Sequence, residues 1–168
     1  MTAQPSGAST TLPSTPRDLA ELVEQQRRLT LTSFTYEDAW ELGVLLVRLA
    51  REREAPVAID IRRGAQQLFH AALPGSSADN DAWLERKRRV VERYGESSLL
   101  VGSRFRAKGS TFEESSRLDP DRYAAHGGAF PLLVAGVAGV VGTVAVSGLP
   151  QTEDHALVVA ALEEFAAR

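Results

Sequence analysis

Between Gly127 and Thr152 the chain carries no Asp, Glu, Lys or Arg, although 22 acidic and 19 basic residues are spread over its 168 positions. No other feature limits the fold as much. A run of this length raises the question of a bilayer span, which needs ~20 predominantly apolar residues. Its composition reads otherwise. Pro131, Gly136, Gly139, Gly142 and Gly148 interrupt it, and Val dominates its middle. That mixture predicts buried strands with turns rather than a membrane helix. Phe130–Val134 and Val140–Val146 are expected to pair through Gly136 and Gly139 as the buried hairpin of a sheet.

The rest of the composition sets bounds. The length suits a single domain with a sizeable core. A net charge of −3 supplies no basic field, which argues against nucleic acid as a partner. With no cysteine, disulfides, zinc–thiolate sites, iron–sulfur clusters and cysteine nucleophiles are excluded. Residues 1–16 are rich in Ser, Thr and Pro, without an apolar core or basic start. They read as a disordered tail rather than a signal peptide, leaving residues 17–168 as the folded domain of a cytoplasmic protein.

Periodicity places the elements. A helix is expected from about Arg17, with a short strand at Leu29–Thr32. Thr35 and Asp38 form a capping box for a helix reaching about Glu54, apolar around most of its circumference and so buried on more than one side. Val57–Ile61 and Gln66–Leu73 read as a hairpin turning at Arg63-Gly64. A two-residue turn puts His70 on the face of Val57 and Ile59; a three-residue turn puts it on the face of Asp60 and Arg62. Asp79 is expected to cap a helix ending near Gly95, followed by a helix over Ser98–Lys108. Short turns are expected at Thr111–Glu114 and Asp119-Pro120, and Pro150 opens the last helix. Short hairpin connections predict an α+β fold: an antiparallel sheet flanked by helices.

Three places invite chemistry. Lys87 falls in the middle of an apolar arc formed by Trp83, Leu84, Val90, Val91 and Tyr94. It either snorkels to an edge or subunit boundary, or lines a pocket and meets a carboxylate or phosphate. Arg86, Arg88 and Arg89 point elsewhere as a solvated basic face. His126-Gly127-Gly128 pairs a metal or haem ligand type with backbone that allows close approach, or is a turn with a hydrogen-bonded His. Ser147-Gly148-Leu149-Pro150 leads from a strand into a helix N-terminus, where free N–H groups can hold an anion. His70, His126 and His155 are too scattered for a zinc motif, and no nucleophile elbow or phosphate loop is visible.

In order along the chain stand Ala58-Ile59-Asp60-Ile61-Arg62, Gln67-Leu68-Phe69-His70, Asp79-Asn80-Asp81 with Trp83, and Arg86-Lys87-Arg88. Ala125-His126-Gly127-Gly128-Ala129-Phe130-Pro131 follows, then Gly142 to Pro150 and Glu153-Asp154-His155. This series resembles the uncharacterised branch of the haem-degrading-domain family, the group that also contains GlcG-like and HbpS-like proteins. The resemblance implies a profilin-like fold and homo-oligomers. It also implies haem as a cofactor, since some relatives bind it. It makes the matched Lys87, His126, Gly127, Gly128 and Pro131 pocket candidates, to which Ser147 and Gly148 add the helix N-terminus. It supplies no catalytic set. Three functions follow as expectations: an oligomeric protein binding haem or a small anion, an enzyme acting on haem or another small molecule, and a protein-interaction scaffold.

Overall fold

The sheet has four strands in the order β2-β1-β4-β3, every neighbouring pair antiparallel. The computed structural model describes residues 11–168. The elements are α1 (Pro16–Arg28), α2 (Tyr36–Glu52), β1 (Ala58–Arg63), β2 (Gln66–Ala72), α3 (Ala78–Tyr94), α4 (Ser98–Ala107), α5 (Phe112–Ser115), β3 (Ala129–Leu132), β4 (Gly142–Ser147) and α6 (Gln151–Ala166). Helices α2 and α6 cover one face and α3 the other, so the expected antiparallel sheet flanked by helices is what forms.

Strand alternation decides what each face offers. Val57, Ile59, Ile61, Val144, Val146, Phe130 and Leu132 point toward α2 and α6 and make the main core. The opposite face carries Ala58, Ala129 and Ala145, on which α3 sets Leu84 and Val91. Three alanines leave little side-chain height, and α3 therefore comes close to the sheet, bringing Lys87 with it.

The charge-free stretch folds as β3, β4 and their connection, and no helix among the described residues is long and apolar enough to cross a membrane. The stretch is not buried throughout: residues 135–139 are an exposed loop, with Gly136 and Gly139 at positive φ. Other boundaries differ in ways with plain causes. The strand expected at Leu29–Thr32 reduces to one parallel bridge, Leu31 to Val134, squeezed between the C-cap of α1 at Leu29 and the N-cap of α2 at Thr35. Ser77, not Asp79, caps α3, its N–H bonded by the Asn80 side chain at 2.8 Å. The short turn expected at Asp119-Pro120 does form, the Asp119 carbonyl accepting from the N–H groups of Arg122 and Tyr123.

Hairpin β1–β2 combines features of both expected registers. Its loop is the two residues Gly64 and Ala65, yet Asp60 pairs with His70, because a bulge between Ile61 and Arg62 leaves Leu68 as an extra residue. His70 thus shares the face of Asp60 and meets Asp81 of α3 at 2.7 Å. Of the expected tail, residues 1–10 lie outside the described residues. Ahead of the expected Arg17 start, Thr15 caps α1 reciprocally with Asp18, and the Pro13 carbonyl accepts from Arg106 at 3.0 Å.

Candidate functional site

Lys87 projects from the middle of α3 into the end of the sheet. Its Nζ donates to the Gly127 carbonyl at 3.0 Å, the Val146 carbonyl at 2.8 Å and Asp154 Oδ2 at 3.1 Å. An ammonium has three protons, so all are used. Asp154, in the first turn of α6, also accepts from the backbone N–H groups of Leu149 at 3.0 Å and Gly148 at 3.4 Å. Both side chains are buried. Burial pushes the Lys87 ammonium down and the Asp154 carboxyl up, and each is opposed by the other's charge and hydrogen bond. Lys87 does not snorkel. It meets a carboxylate, and that carboxylate belongs to its own chain. The N–H groups expected to hold an anion before α6 hold the same group.

The Gly-Gly pair is explained by this arrangement. A Cβ on Gly128, whose φ is +129°, would collide with Lys87 Nζ and the Val146 carbonyl oxygen. A Cβ on Gly127 would strike the Gln151 carbonyl oxygen. The backbone approaches Lys87 and α6 here, not an external group.

Above the ion pair opens a cleft of about 230 Å³, bordered by Asn80, Trp83, His126, Ser147, Gly148 and Gln151, with Lys87 and Asp154 at its base. His126 stands at the rim. Its side chain is 41% exposed, and its ring packs 5.0 Å from Trp83, over which the Arg86 guanidinium sits at 3.9 Å. Glu113 Oε1 lies 3.7 Å from His126 Nε2, beyond hydrogen-bond range. Burial pulls the His126 pKa below its ordinary value; Glu113 opposes this, while Lys87, Arg106 and Arg86 add to it. The imidazole is therefore neutral near pH 7, able to act as a nitrogen ligand.

Of the expected site residues, Lys87, His126, Ser147 and Gly148 line this cleft, and Gly127 and Gly128 form its supporting wall. Pro131 is not brought in: it lies buried in β3 opposite Thr143. The expected solvated basic face is also corrected. Arg88 is mostly buried, pairing with Glu85 at 2.8 Å and Glu92 at 2.6 Å, and Arg89 reaches Glu85 at 3.4 Å. A larger cavity of about 480 Å³, beside Arg93, Tyr94 and Gly142, contains none of the expected residues. The sequence reading names Asn80 and Asp154 only within the family motifs, gives Asp154 no role as a counter-ion, and does not single out Gln151, Arg106 or Glu113. The available signal for Asp154 was that the only acids close to the strand-to-helix turn are Glu153 and Asp154.

Comparison with known proteins finds matches to the sequence and to the fold. A model described as haem-degrading protein, HbpS-like, matches residues 34–163. A UPF0303 protein of Streptomyces avermitilis is 76% identical over 91% of this chain and 93% of its own. The solved structure of the Ybr137w protein is 38% identical, with a TM-score of 0.82, covering 89% of this chain and 87% of that one. A structure of PduOC in complex with haem shares the fold, with a TM-score of 0.65 at 16% identity over 78% of this chain and 94% of that one.

Proposed function

The chain belongs to the HbpS-like family of haem-degrading proteins, and from that premise we propose that it is a self-associating binding protein that holds haem at the His126 cleft. The observation that carries the reading is His126 itself: half-exposed, neutral near pH 7, and set against Trp83 at the mouth of a cleft. Iron in haem takes an imidazole nitrogen as its axial ligand, and an aromatic ring beside it gives a flat ligand an apolar wall. The haem complex of PduOC, which has the same fold, supports the choice of ligand.

The residues fit haem in one way and not in another. Pockets that enclose a ligand typically measure ~300–1,000 Å³, and this cleft is smaller at about 230 Å³. A ligand of that size would not be enclosed by the cleft; His126 would hold the iron and Trp83 would supply an apolar wall beside it. Ser147 and Gly148 would border the ligand, Lys87 would close the base, and Gly127 and Gly128 would keep the wall in place. A small anion bound at Lys87 is disfavoured, because Asp154 already takes that position. Three acceptors around Nζ hold Lys87 as an ammonium, which has no lone pair for nucleophilic or base chemistry.

Self-association has its own support. Tyr36, Trp40 and Val44, at successive i, i+4 positions of α2, are 59%, 60% and 48% exposed. They make an apolar stripe on the helix that the sequence marks as apolar on several sides. The test of the ligand is a haem titration of the purified full chain, followed by visible absorption. A saturable spectral change is expected, and a linear response equal to that of free haem would overturn the proposal.

A further inference from the structure

Behind His126 lies a second cavity of about 200 Å³, bounded by Leu12, Arg106, Thr111, Glu113, Gln151 and His126 itself. Arg106, near the end of α4, is partly buried. Its Nε donates to the Pro13 carbonyl and its Nη2 to Ser103 Oγ, each at 3.0 Å. Among the described residues no carboxylate comes within 4.0 Å of this guanidinium. Arg104, two positions earlier, forks onto Glu96 at 2.8 and 2.5 Å. Arg106 therefore carries a charge in a partly desolvated place with only neutral acceptors.

The third nitrogen of Arg106 has room. Nη1 makes no hydrogen bond among the described residues, and Gly102, whose Cβ would strike the Ala125 carbonyl oxygen, borders it. Two more donors border the same space. Gln151 uses its Oε1 to accept from Gly127 N at 3.0 Å, which leaves its amide nitrogen to donate. Thr111 Oγ1 accepts from Glu114 N at 3.2 Å, which leaves its hydroxyl proton. Burial lowers the Arg106 pKa, and the charge of Glu113 opposes this without making a contact within 4.0 Å. The one acid on the rim, Glu113, is half-exposed and turned toward His126.

We propose that Arg106, with Gln151 and Thr111, forms a carboxylate-binding subsite beside His126, so that the ligand is an acid anchored by its carboxylate while His126 engages its other part. The guanidinium fork matches a carboxylate in shape as well as charge. The inference rests on the binding reading of the His126 site and names the chemistry of what binds there. Such a carboxylate has two sources, a propionate arm of haem or a small free carboxylic acid.

The test uses the full chain, native and Arg106→Gln, with three probes: haem, haem dimethyl ester, and sodium propionate. Haem forms are followed by visible absorption and propionate by the ring-proton resonance of His126. Native protein is expected to hold haem about tenfold or more tighter than the ester, the scale of one charge-assisted hydrogen bond. Arg106→Gln should lose that preference and bind both alike. Glu113→Gln, which removes the rim charge, should tighten haem several-fold. If native protein binds haem and its ester equally, the subsite is overturned while the haem reading stands. If haem binds to neither protein, the haem reading fails. A propionate shift at His126 in the native chain, absent in Arg106→Gln, then still upholds the subsite, and no shift in either overturns it. Should Arg106→Gln fail to fold, the native comparison of haem with ester decides for haem, and for propionate Arg106→Lys replaces it, keeping the charge without the fork.

Discussion

Lys87 sets a full charge among alanines and valines, and every proton on it has an acceptor. Removing one partner of such a pair strands the other. Lys87→Met is expected to cost about 3–5 kcal/mol in urea unfolding, as an uncompensated buried carboxylate would. Lys87→Met combined with Asp154→Leu should recover much of that loss. His155 makes the complementary case. Burial takes its pKa from 6.5 down to about 4, its Nε2 lies 2.6 Å from Gln25 Oε1, and its Nδ1 has no partner among the described residues. Between those pH values the unfolded chain binds a proton that the native chain refuses. The neutral His155 contribution is therefore intact above about pH 6.5 and declines as pH falls toward 4, by roughly 3 kcal/mol in full. The urea midpoint of native protein should fall more steeply over that range than that of His155→Leu; parallel curves would assign the acid sensitivity elsewhere. At this scale the sequence places Lys87 in the middle of an apolar arc, since its place on the helix wheel follows from spacing alone, and leaves open whether it snorkels or meets an anion. That the anion is Asp154 was not legible: the two are 67 positions apart and meet only through the packing of α3 and α6 on one strand end.

At the scale of elements, the site depends on how closely α3 can lie against β3 and β4. The alanine floor of Ala58, Ala129 and Ala145 permits the approach, and Gly128 completes it where Lys87 passes. Gly128→Ala should destabilise the fold by about 1–3 kcal/mol from backbone strain at positive φ alone. It should also quench the His126–Trp83 contact, read as altered tryptophan fluorescence. An unchanged unfolding curve would contradict the close approach. Helix positions were legible because caps and periodicity are local: α2 and α6 lie within a residue or two of where Thr35 and Pro150 put them, and α4 within one residue of the expected Ser98–Lys108. The face of His70 was not, since the bulge at Leu68 answers to how β2 pairs with β1 and leaves no mark in composition. Arg88 and Arg89 were misread for a related reason. Their partners Glu85 and Glu92 stand at i−3, i+4 and i−4, so a run of cations read singly looks solvated although it is paired.

For the molecule as a whole, one sheet between two helical layers places the His126 site and the α2 stripe at different parts of the surface: His126 borders α3 and α6, whereas Tyr36, Trp40 and Val44 lie on α2. Trp40→Glu should therefore shift the sedimenting mass toward that of one chain while leaving haem binding in place. A mass that does not change would move the interface off α2. The charge-free stretch from Gly127 to Thr152 takes its final meaning here. It builds the strands that floor the site, it ends at the two places where Lys87 and Asp154 bind backbone, and its exposed loop serves neither. His126 is the residue we propose takes the ligand. The most direct test is haem titration of His126→Ala beside the native chain, with urea unfolding showing both folded. The native chain should saturate with a changed visible spectrum while His126→Ala binds at least tenfold more weakly and lacks the histidine-ligated absorption. Superimposable curves and spectra for the two proteins would contradict it.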